Sequence, residues 1–78
     1  MDATLDQVRR IAADVLDVPI ERLTLDSAPE SVESWDSIRH LSLALALEEH
    51  FDIVFAPEEI EQMVNLGALV RVVQDKLA

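Results

Sequence analysis

The sequence contains no cysteine, a single glycine, three prolines, one Trp, two Phe and no Tyr. Without cysteine, the chain forms no disulfide, offers no thiolate nucleophile and binds no zinc through thiolates. Any thiol chemistry must therefore be imported from another molecule. One glycine is also too few for a fold built on tight β-hairpin turns, so the composition favours helices.

Long apolar runs and a signal sequence are also missing. The longest uninterrupted apolar run, residues 43–47, is far shorter than the roughly 20 residues that span a bilayer. The first ten residues, MDATLDQVRR, carry acids and lack an apolar segment, which is not the pattern of a secretory signal. We expect a soluble protein of the cytoplasm that does not insert into membranes.

Positive charge is scarce, because 6 Lys and Arg stand against 16 Asp and Glu, for a net charge of −10. Nucleic-acid phosphates and anionic membrane surfaces would repel such a chain, so neither is expected as a partner. Proteins with basic patches are favoured instead. At 78 residues the chain supports one core, and residues 1–78 are expected to form a single, monomeric domain.

Apolar residues at helical spacing predict a first helix over residues 4–17, which Pro19 ends. The periodicity is then lost until residue 36, which predicts a long loop. Such a loop needs apolar anchors in a domain this small, and Ile20, Leu23 and Leu25 are the candidates. Within the loop, the stretch PIERL suits a single helical turn.

Three further helices are predicted in the second half of the chain. The helix after residue 36 has a broad apolar arc, which indicates contacts on several sides; its members are Ile38, Leu41, Leu43, Ala44, Leu45, Ala46, Leu47 and Phe51. The stretch APEEIEQM reads as a short third helix, and the apolar spacing from Leu66 to Leu77, with Asn65 as cap, predicts the fourth. The fold class is all-α: a small four-helix bundle of three longer helices and one short helix, with a long first loop.

Asp36 and Ser37 stand where the second helix begins. Either side chain suits the N-cap, where an oxygen accepts hydrogen bonds from unpaired amides of the first turn. If Asp36 is the cap, Ser37 becomes the first helical residue, exposed at the end of a long loop to another enzyme's active site. A phosphate on its oxygen would lie near free amides and the positive end of the helix dipole. Trp35 and Ile38 would flank it with apolar surface for a partner or an attached chain.

The stretch DSI, at Asp36, Ser37 and Ile38, resembles the Asp-Ser-Leu motif of the acyl carrier protein family. Further along, LALEEHFDIVFAPEEIEQM is similar to the family's Leu-Glu-Glu, Phe, short loop and Pro-Glu-Glu-rich third helix, at matching distances from the serine. The loop sequence VESWDS and the amphipathic first helix are also alike. The resemblance covers nearly the whole chain.

The resemblance implies that Ser37 receives 4′-phosphopantetheine from coenzyme A through a separate phosphopantetheinyl transferase. Acyl, polyketide or aminoacyl intermediates would then be held as thioesters, and the protein itself would catalyse nothing. Asp36 matches the family residue that helps the modifying enzyme to hold magnesium. Other expected partners are acyl- or aminoacyl-activating ligases, acyltransferases and synthases. A further hypothesis places the acyl chain in the core, among Leu41, Leu45, Ile60, Met63 and Val70.

The second helix departs from the pattern of fatty-acid carriers, which place acids just after Ser-Leu and again three residues further on. Arg39 and Ser42 stand at those positions, and His40 would add positive charge below about pH 6.5. This departure indicates partners in a dedicated biosynthetic pathway rather than in housekeeping fatty-acid synthesis. The predicted partner-binding residues are Trp35, Ile38, Arg39, His40, Ser42, Glu48 and Glu49.

Other chemistries compete for the same residues. Ser37, His40 and Asp36 are the residue types of a hydrolytic triad, but one helix start leaves little room for the imidazole between the other two groups. His40 and His50 are expected on solvated faces, and neither they nor the acids have the spacing of a metal site. The remaining alternative is an unmodified acidic adaptor, in which Ser37 is a cap and Trp35 anchors an interface with a basic protein.

Overall fold

The computed structural model describes residues 3–78 as four α-helices and one short 3₁₀ turn. The helices are α1 (Ala3–Leu16), α2 (Ser37–Phe51), α3 (Pro57–Glu61) and α4 (Leu66–Leu77), and the 3₁₀ turn is Ile20–Arg22. No strand occurs in this part of the chain. The predicted all-α bundle of three longer helices and one short helix is therefore confirmed.

A single apolar core joins the helices and the long loop. In α1, Val8, Ala12 and Leu16 repeat every fourth residue and are fully buried, as an amphipathic helix requires. The other buried apolar residues come from the loop, from α2, from α4 and from the segments around α3: Leu23, Trp35, Leu43, Ala44, Leu47, Phe55, Met63, Leu66, Leu69, Val70 and Val73. Every predicted helix thus contributes one face or one flanking residue to the same core.

Two hydrogen bonds join the carboxyl end of α1 to the region where α2 begins. α1 stops because Asp17 takes the left-handed conformation, with φ at 56°. Two of its last carbonyls would then lack partners. The Ser34 hydroxyl donates to the Leu16 carbonyl at 2.6 Å, and the Arg39 guanidinium donates to the Val15 carbonyl at 2.9 Å. These two side chains fix the position of the segment between them, which contains Asp36 and Ser37.

The long loop, residues 17–36, is held by the amino end of α4. The Leu66 amide donates to the Ser27 carbonyl at 2.8 Å, and the Gly67 amide donates to the Leu25 carbonyl at 2.9 Å. A Cβ at Gly67 would lie 3.2 Å from that carbonyl, so glycine permits the close approach. Leu23 is buried as predicted, but the Leu25 side chain is exposed, and its prediction as an apolar anchor is wrong. Leu25 anchors the loop through its backbone instead.

α2 buries only one side of its apolar arc. Its buried residues are Leu43, Ala44 and Leu47, whereas Ile38, Leu41 and Leu45 are exposed. The prediction of contacts on several sides is therefore wrong for these three residues. α1 packs most extensively against α2, and α3, only five residues long, is too short to cover the opposite side.

The carboxyl end of α2 carries an unfavourable charge. Asp52 follows α2 as its C-cap, and its φ of 56° is left-handed and its carboxylate lies at the negative end of the helix dipole. Replacing Asp52 with asparagine, which also tolerates this conformation, is expected to raise the free energy of unfolding by about 0.3–1 kcal/mol in urea denaturation. Glu58→Gln is the control, because it removes the same charge from the amino end of α3. Equal stabilisation by both variants would assign the gain to overall charge repulsion instead.

Glu59 links α3 to α4 and makes stability depend on pH. One of its carboxylate oxygens accepts from Lys76 Nζ at 2.9 Å and from the Ala56 amide at 2.7 Å. The bond from Lys76, followed by that from Ala56, lowers the pKa of Glu59. A carboxyl whose pKa is lower in the folded than in the unfolded chain contributes stability above the unfolded value, and this contribution is lost as pH falls through the folded value.

We therefore expect Glu59→Gln to flatten the acidic limb of a plot of unfolding free energy against pH. The change should be modest because both partners are partly exposed. The matched control is Glu61→Gln, an exposed acid on the same helix. If both variants flattened the acidic limb equally, the link to Lys76 would not be the cause.

Candidate functional site

Ser37 lies at the exposed start of α2 as its first helical residue. The N-cap is Asp36, whose carboxylate accepts from the Arg39 amide at 2.8 Å. The structure therefore decides between the two possible caps. Because Asp36 performs the capping, the Ser37 hydroxyl is not needed for helix initiation and faces solvent.

The backbone at this helix start has room for an anionic group. Within residues 3–78, the Ser37 and Ile38 amides have no protein acceptor, whereas the Arg39 and His40 amides are bonded to Asp36. Free amides at a helix amino terminus, reinforced by the helix dipole, favour a phosphate oxygen. The residues around the Ser37 hydroxyl therefore fit a phosphodiester attached there.

Trp35, directly before this site, belongs to the core. Only 2% of its surface is exposed, its ring lies 6.1 Å from that of His40, and its indole N–H donates to His40 Nδ1 at 3.0 Å. The predictions that Trp35 offers apolar surface beside Ser37 and binds partners are wrong, because the side chain points inward. Ile38 does offer such surface, since it is exposed.

His40 is half-buried and connects three parts of the chain. Its Nδ1 accepts from Trp35 and its Nε2 lies 3.0 Å from the Ile60 carbonyl. A ring that accepts at Nδ1 can donate from Nε2 to the Ile60 carbonyl. The prediction that His40 lies on a solvated face is wrong, because the ring is half-buried and both of its nitrogens are engaged. Both nitrogens are engaged away from Ser37, which also excludes the hydrolytic triad.

The other predicted partner-binding residues on α2 differ in exposure. Arg39 is half-buried with its guanidinium bonded to α1, and Glu48 is half-buried with a carboxylate oxygen accepting from the Phe55 amide at 2.7 Å. Both therefore have a structural role as well. Ser42 and Glu49 are exposed. His50 is also exposed, as predicted, with its ring edge-on to Phe51 at 4.8 Å.

The core hypothesis for the acyl chain needs correction at two positions. Leu41 and Leu45 face solvent and do not line the core. A surface groove of about 760 Å³ is lined by residues of the long loop alone, and none of the five residues named for the cargo lines it. The exposure of Leu41 and Leu45 was not predicted from the sequence. Their spacing of four and eight residues from Ser37 places them on the same side of the helix as that residue.

Two further features are missing from residues 3–78. No cluster of three or more His, Cys, Asp or Glu side chains is placed to hold a metal ion among them. None of the helices in this part of the chain is both long enough and apolar enough to cross a membrane.

Known proteins resemble this chain in sequence and in fold. Residues 6–73 match the family model described as the phosphopantetheine attachment site. The chain is similar to an acyl carrier protein of Phenylobacterium zucineum (strain HLK1), with 30% identity over 77 residues that cover 99% of this chain and 98% of the relative. It is also similar to the solution NMR structure of a holo acyl carrier protein from Geobacter metallireducens. That match has a TM-score of 0.86 and 34% identity, and it covers 97% of this chain and 87% of the other.

Proposed function

Because the chain belongs to the acyl carrier protein family, whose prosthetic group is 4′-phosphopantetheine, we propose that the Ser37 hydroxyl is the point of attachment. The observation that carries this proposal is the exposed position of Ser37 at the first residue of α2, with Asp36 acting as the cap. The protein is a carrier and not a catalyst, so its residues have to present the attached group and to be recognised.

Each residue at the helix start has a separate task in this proposal. Ser37 provides the oxygen that forms the phosphodiester with the group transferred from coenzyme A. The amides of Ser37 and Ile38 face its phosphate. One Asp36 oxygen holds the Arg39 amide, and the other has no partner within residues 3–78. That second oxygen is available to help the transferase hold its magnesium ion.

The attached arm supplies a terminal thiol, which this cysteine-free chain lacks, for holding acyl, polyketide or aminoacyl groups as thioesters. The bundle keeps that cargo close to whichever enzyme it contacts, which raises the effective concentration of the cargo there. We assign the protein to a dedicated biosynthetic pathway in the cytoplasm, where ligases, acyltransferases or synthases load and use the arm. Arg39 and Ser42, at positions where fatty-acid carriers have acids, support this assignment.

Intact-mass measurement tests the carrier proposal. The protein is incubated with coenzyme A, Mg²⁺ and a broad-specificity phosphopantetheinyl transferase, then weighed and digested. We expect the mass to rise by one phosphopantetheine group, located on the peptide that contains Ser37. An unchanged mass with a transferase that modifies a reference carrier in the same tube would overturn the proposal.

If the mass were unchanged, the unmodified acidic adaptor would be the remaining alternative. It loses support from the structure, because Trp35, which was to anchor its interface, is buried and bonded to His40. A Trp that fills the core has no free surface for a basic partner.

A further inference from the structure

The long loop forms a surface groove that lies close to Ser37 along the chain. This loop groove, of about 760 Å³, is lined by residues between Asp17 and Ser34. Ser34 is held by its bond to the Leu16 carbonyl and precedes Ser37 by three residues, which span at most about 11 Å. Part of the groove lining is therefore within reach of a group attached to Ser37.

Ser27 lines the loop groove and has a hydroxyl hydrogen without an acceptor. It is the only polar residue that is buried within residues 3–78, with 6% of its surface exposed. Its Oγ accepts from the Thr24 amide at 2.9 Å, but the hydroxyl donates to no protein atom in that range. A buried donor without an acceptor is unfavourable. The groove therefore favours an occupant that brings an acceptor to Ser27.

The rest of the groove lining is partly apolar and carries a negative charge. Val18 and Val32 are half-buried against the core, and Leu23 is buried. Three acids and one base also line the groove: Asp17, Asp26, Glu33 and Arg22. These acids repel an anionic ligand. The lining therefore fits a neutral ligand that has methyl groups for the valines and an amide carbonyl for Ser27.

The phosphopantetheine arm has this chemistry beyond its phosphate. Its pantetheine part is uncharged and carries geminal methyl groups, a hydroxyl and amides. It is about as long as four extended residues, or about 14 Å, so the groove is within its reach from Ser37. The phosphate stays at the free amides of Ser37 and Ile38, away from the acids of the groove. A second copy of the chain, with its net charge of −10, is a poor occupant by comparison.

We propose that the loop groove is a resting site for the pantetheine part of the arm, in which the Ser27 hydroxyl donates to an amide carbonyl of the arm and Val18 and Val32 pack against its methyl groups. The inference rests on the proposed function, since it assumes an arm on Ser37. Because a short tether gives an effective concentration on the order of millimolar, weak contacts are enough to hold the arm. The same weakness lets a partner enzyme withdraw it.

Nuclear Overhauser effects (NOEs) in the modified protein test this inference. Uniformly isotope-labelled protein is modified with unlabelled coenzyme A, and NOEs are recorded between the arm and the protein. We expect NOEs from the methyl protons of the arm to the methyl protons of Val18 and Val32, and a shift of the Ser27 amide on modification. Val54 is 76% exposed but does not line the groove, so its methyl groups should show no NOE. NOEs confined to the neighbours of Ser37, or to another side of the bundle, would overturn the inference.

Two serine variants test the hydrogen bond to the arm. Ser27→Ala removes the free hydroxyl and should lower the NOE intensities at the two valines by about threefold, as expected for the loss of one hydrogen bond. Ser31→Ala is the matched control. Ser31 also lines the groove and also accepts from a backbone amide, that of Ala28, but its hydroxyl already donates to the Ala28 carbonyl. Equal intensities in the two variants would refute the role of Ser27, and the wild-type spectra test the groove whatever the stability of the variants.

Intact mass separates failure of this inference from failure of the carrier proposal. A wild-type protein that gains no mass refutes the attachment itself. A protein that carries the arm on Ser37 but shows no NOE to the loop groove keeps its attachment site, and only the resting site is then refuted.

Discussion

Replacing Ser37 with alanine is expected to abolish attachment of phosphopantetheine completely and to change the free energy of unfolding by less than about 0.5 kcal/mol. Attachment fails because alanine has no oxygen to form the phosphodiester. Stability is kept because Ser37 is exposed, its hydroxyl has no hydrogen-bond partner within residues 3–78, and Asp36 provides the cap. Intact mass after a long incubation and urea denaturation measure the two effects.

Ser42→Ala is the control for this experiment. Ser42 is an exposed serine of the same helix, so its loss should leave the mass gain unchanged. A mass gain that persists in Ser37→Ala would move the attachment elsewhere. A large loss of stability in that variant would mean that Ser37, rather than Asp36, initiates the helix.

Substitutions at Asp36 separate capping from assistance to the transferase. Asparagine is as good an N-cap as aspartate, so Asp36→Asn should retain most of the stability while slowing modification through the lost charge. Asp36→Ala removes the acceptor of the Arg39 amide as well and should cost about 1 kcal/mol of stability. Equal modification rates for wild type and Asp36→Asn would show that the charge of Asp36 plays no part in the transfer.

The features predicted correctly from the sequence are those that local chemistry decides. The prediction of α4 used only its apolar spacing and the suitability of Asn65, the residue before it, as an N-cap. In the structure, the Asn65 side chain accepts from the Ala68 amide at 2.7 Å. The start of α2 follows the same logic. The position of Ser37 was therefore predictable to within the choice between two adjacent caps.

The features that the sequence did not predict depend on partners distant in the chain. Arg39 looked like a free charge beside Ser37, but its guanidinium reaches Val15, 24 residues away. Trp35 looked like exposed apolar surface, but it is buried in the core and bonded to His40, which itself contacts Ile60, 20 residues further on. Spacing along one helix does not contain this information, because it depends on which elements pack together.

The apolar arc of α2 is a second feature that the sequence alone did not predict correctly. Its width was read as contact with neighbours on several sides, which is the usual meaning of such breadth. In residues 3–78, α1 packs against α2 and α3 has only five residues, and Leu41 and Leu45 stay exposed. The excess apolar surface therefore remains exposed on the same helix as Ser37.

Replacing Trp35 with alanine is expected to destabilise the fold by about 3–5 kcal/mol, since a buried aromatic side chain leaves a cavity that the surroundings fill poorly. The free energy of unfolding of a small domain is about 5–15 kcal/mol, and a chain this short is expected toward the lower end of that range. Trp35→Ala should thus lose much of its urea resistance. Circular dichroism is the suitable probe, because the substitution removes the only Trp of the sequence.

Trp35→Phe separates the packing role of this side chain from its hydrogen bond. Phenylalanine retains much of the apolar volume but leaves His40 Nδ1 without the donor that now lies 3.0 Å away. A buried acceptor without a partner costs about 1–3 kcal/mol, and the half-buried His40 should lie toward the lower value. In a double-mutant cycle with His40→Ala, the two losses should therefore be non-additive, with a coupling energy of about 1 kcal/mol. Additive losses would show that the bond contributes no stability and that Trp35 acts through packing alone.

The same variants decide whether Trp35 acts in the fold or at an interface. As a core residue, Trp35 affects modification of Ser37 only through the folded fraction, so Trp35→Phe at low temperature should match the wild-type kcat/KM. An interface anchor would give the reverse: near-normal stability with a raised KM. Because only 2% of its surface is exposed and its indole N–H is already bonded to His40, Trp35 has no atom left to offer a partner unless the loop before Ser37 opens.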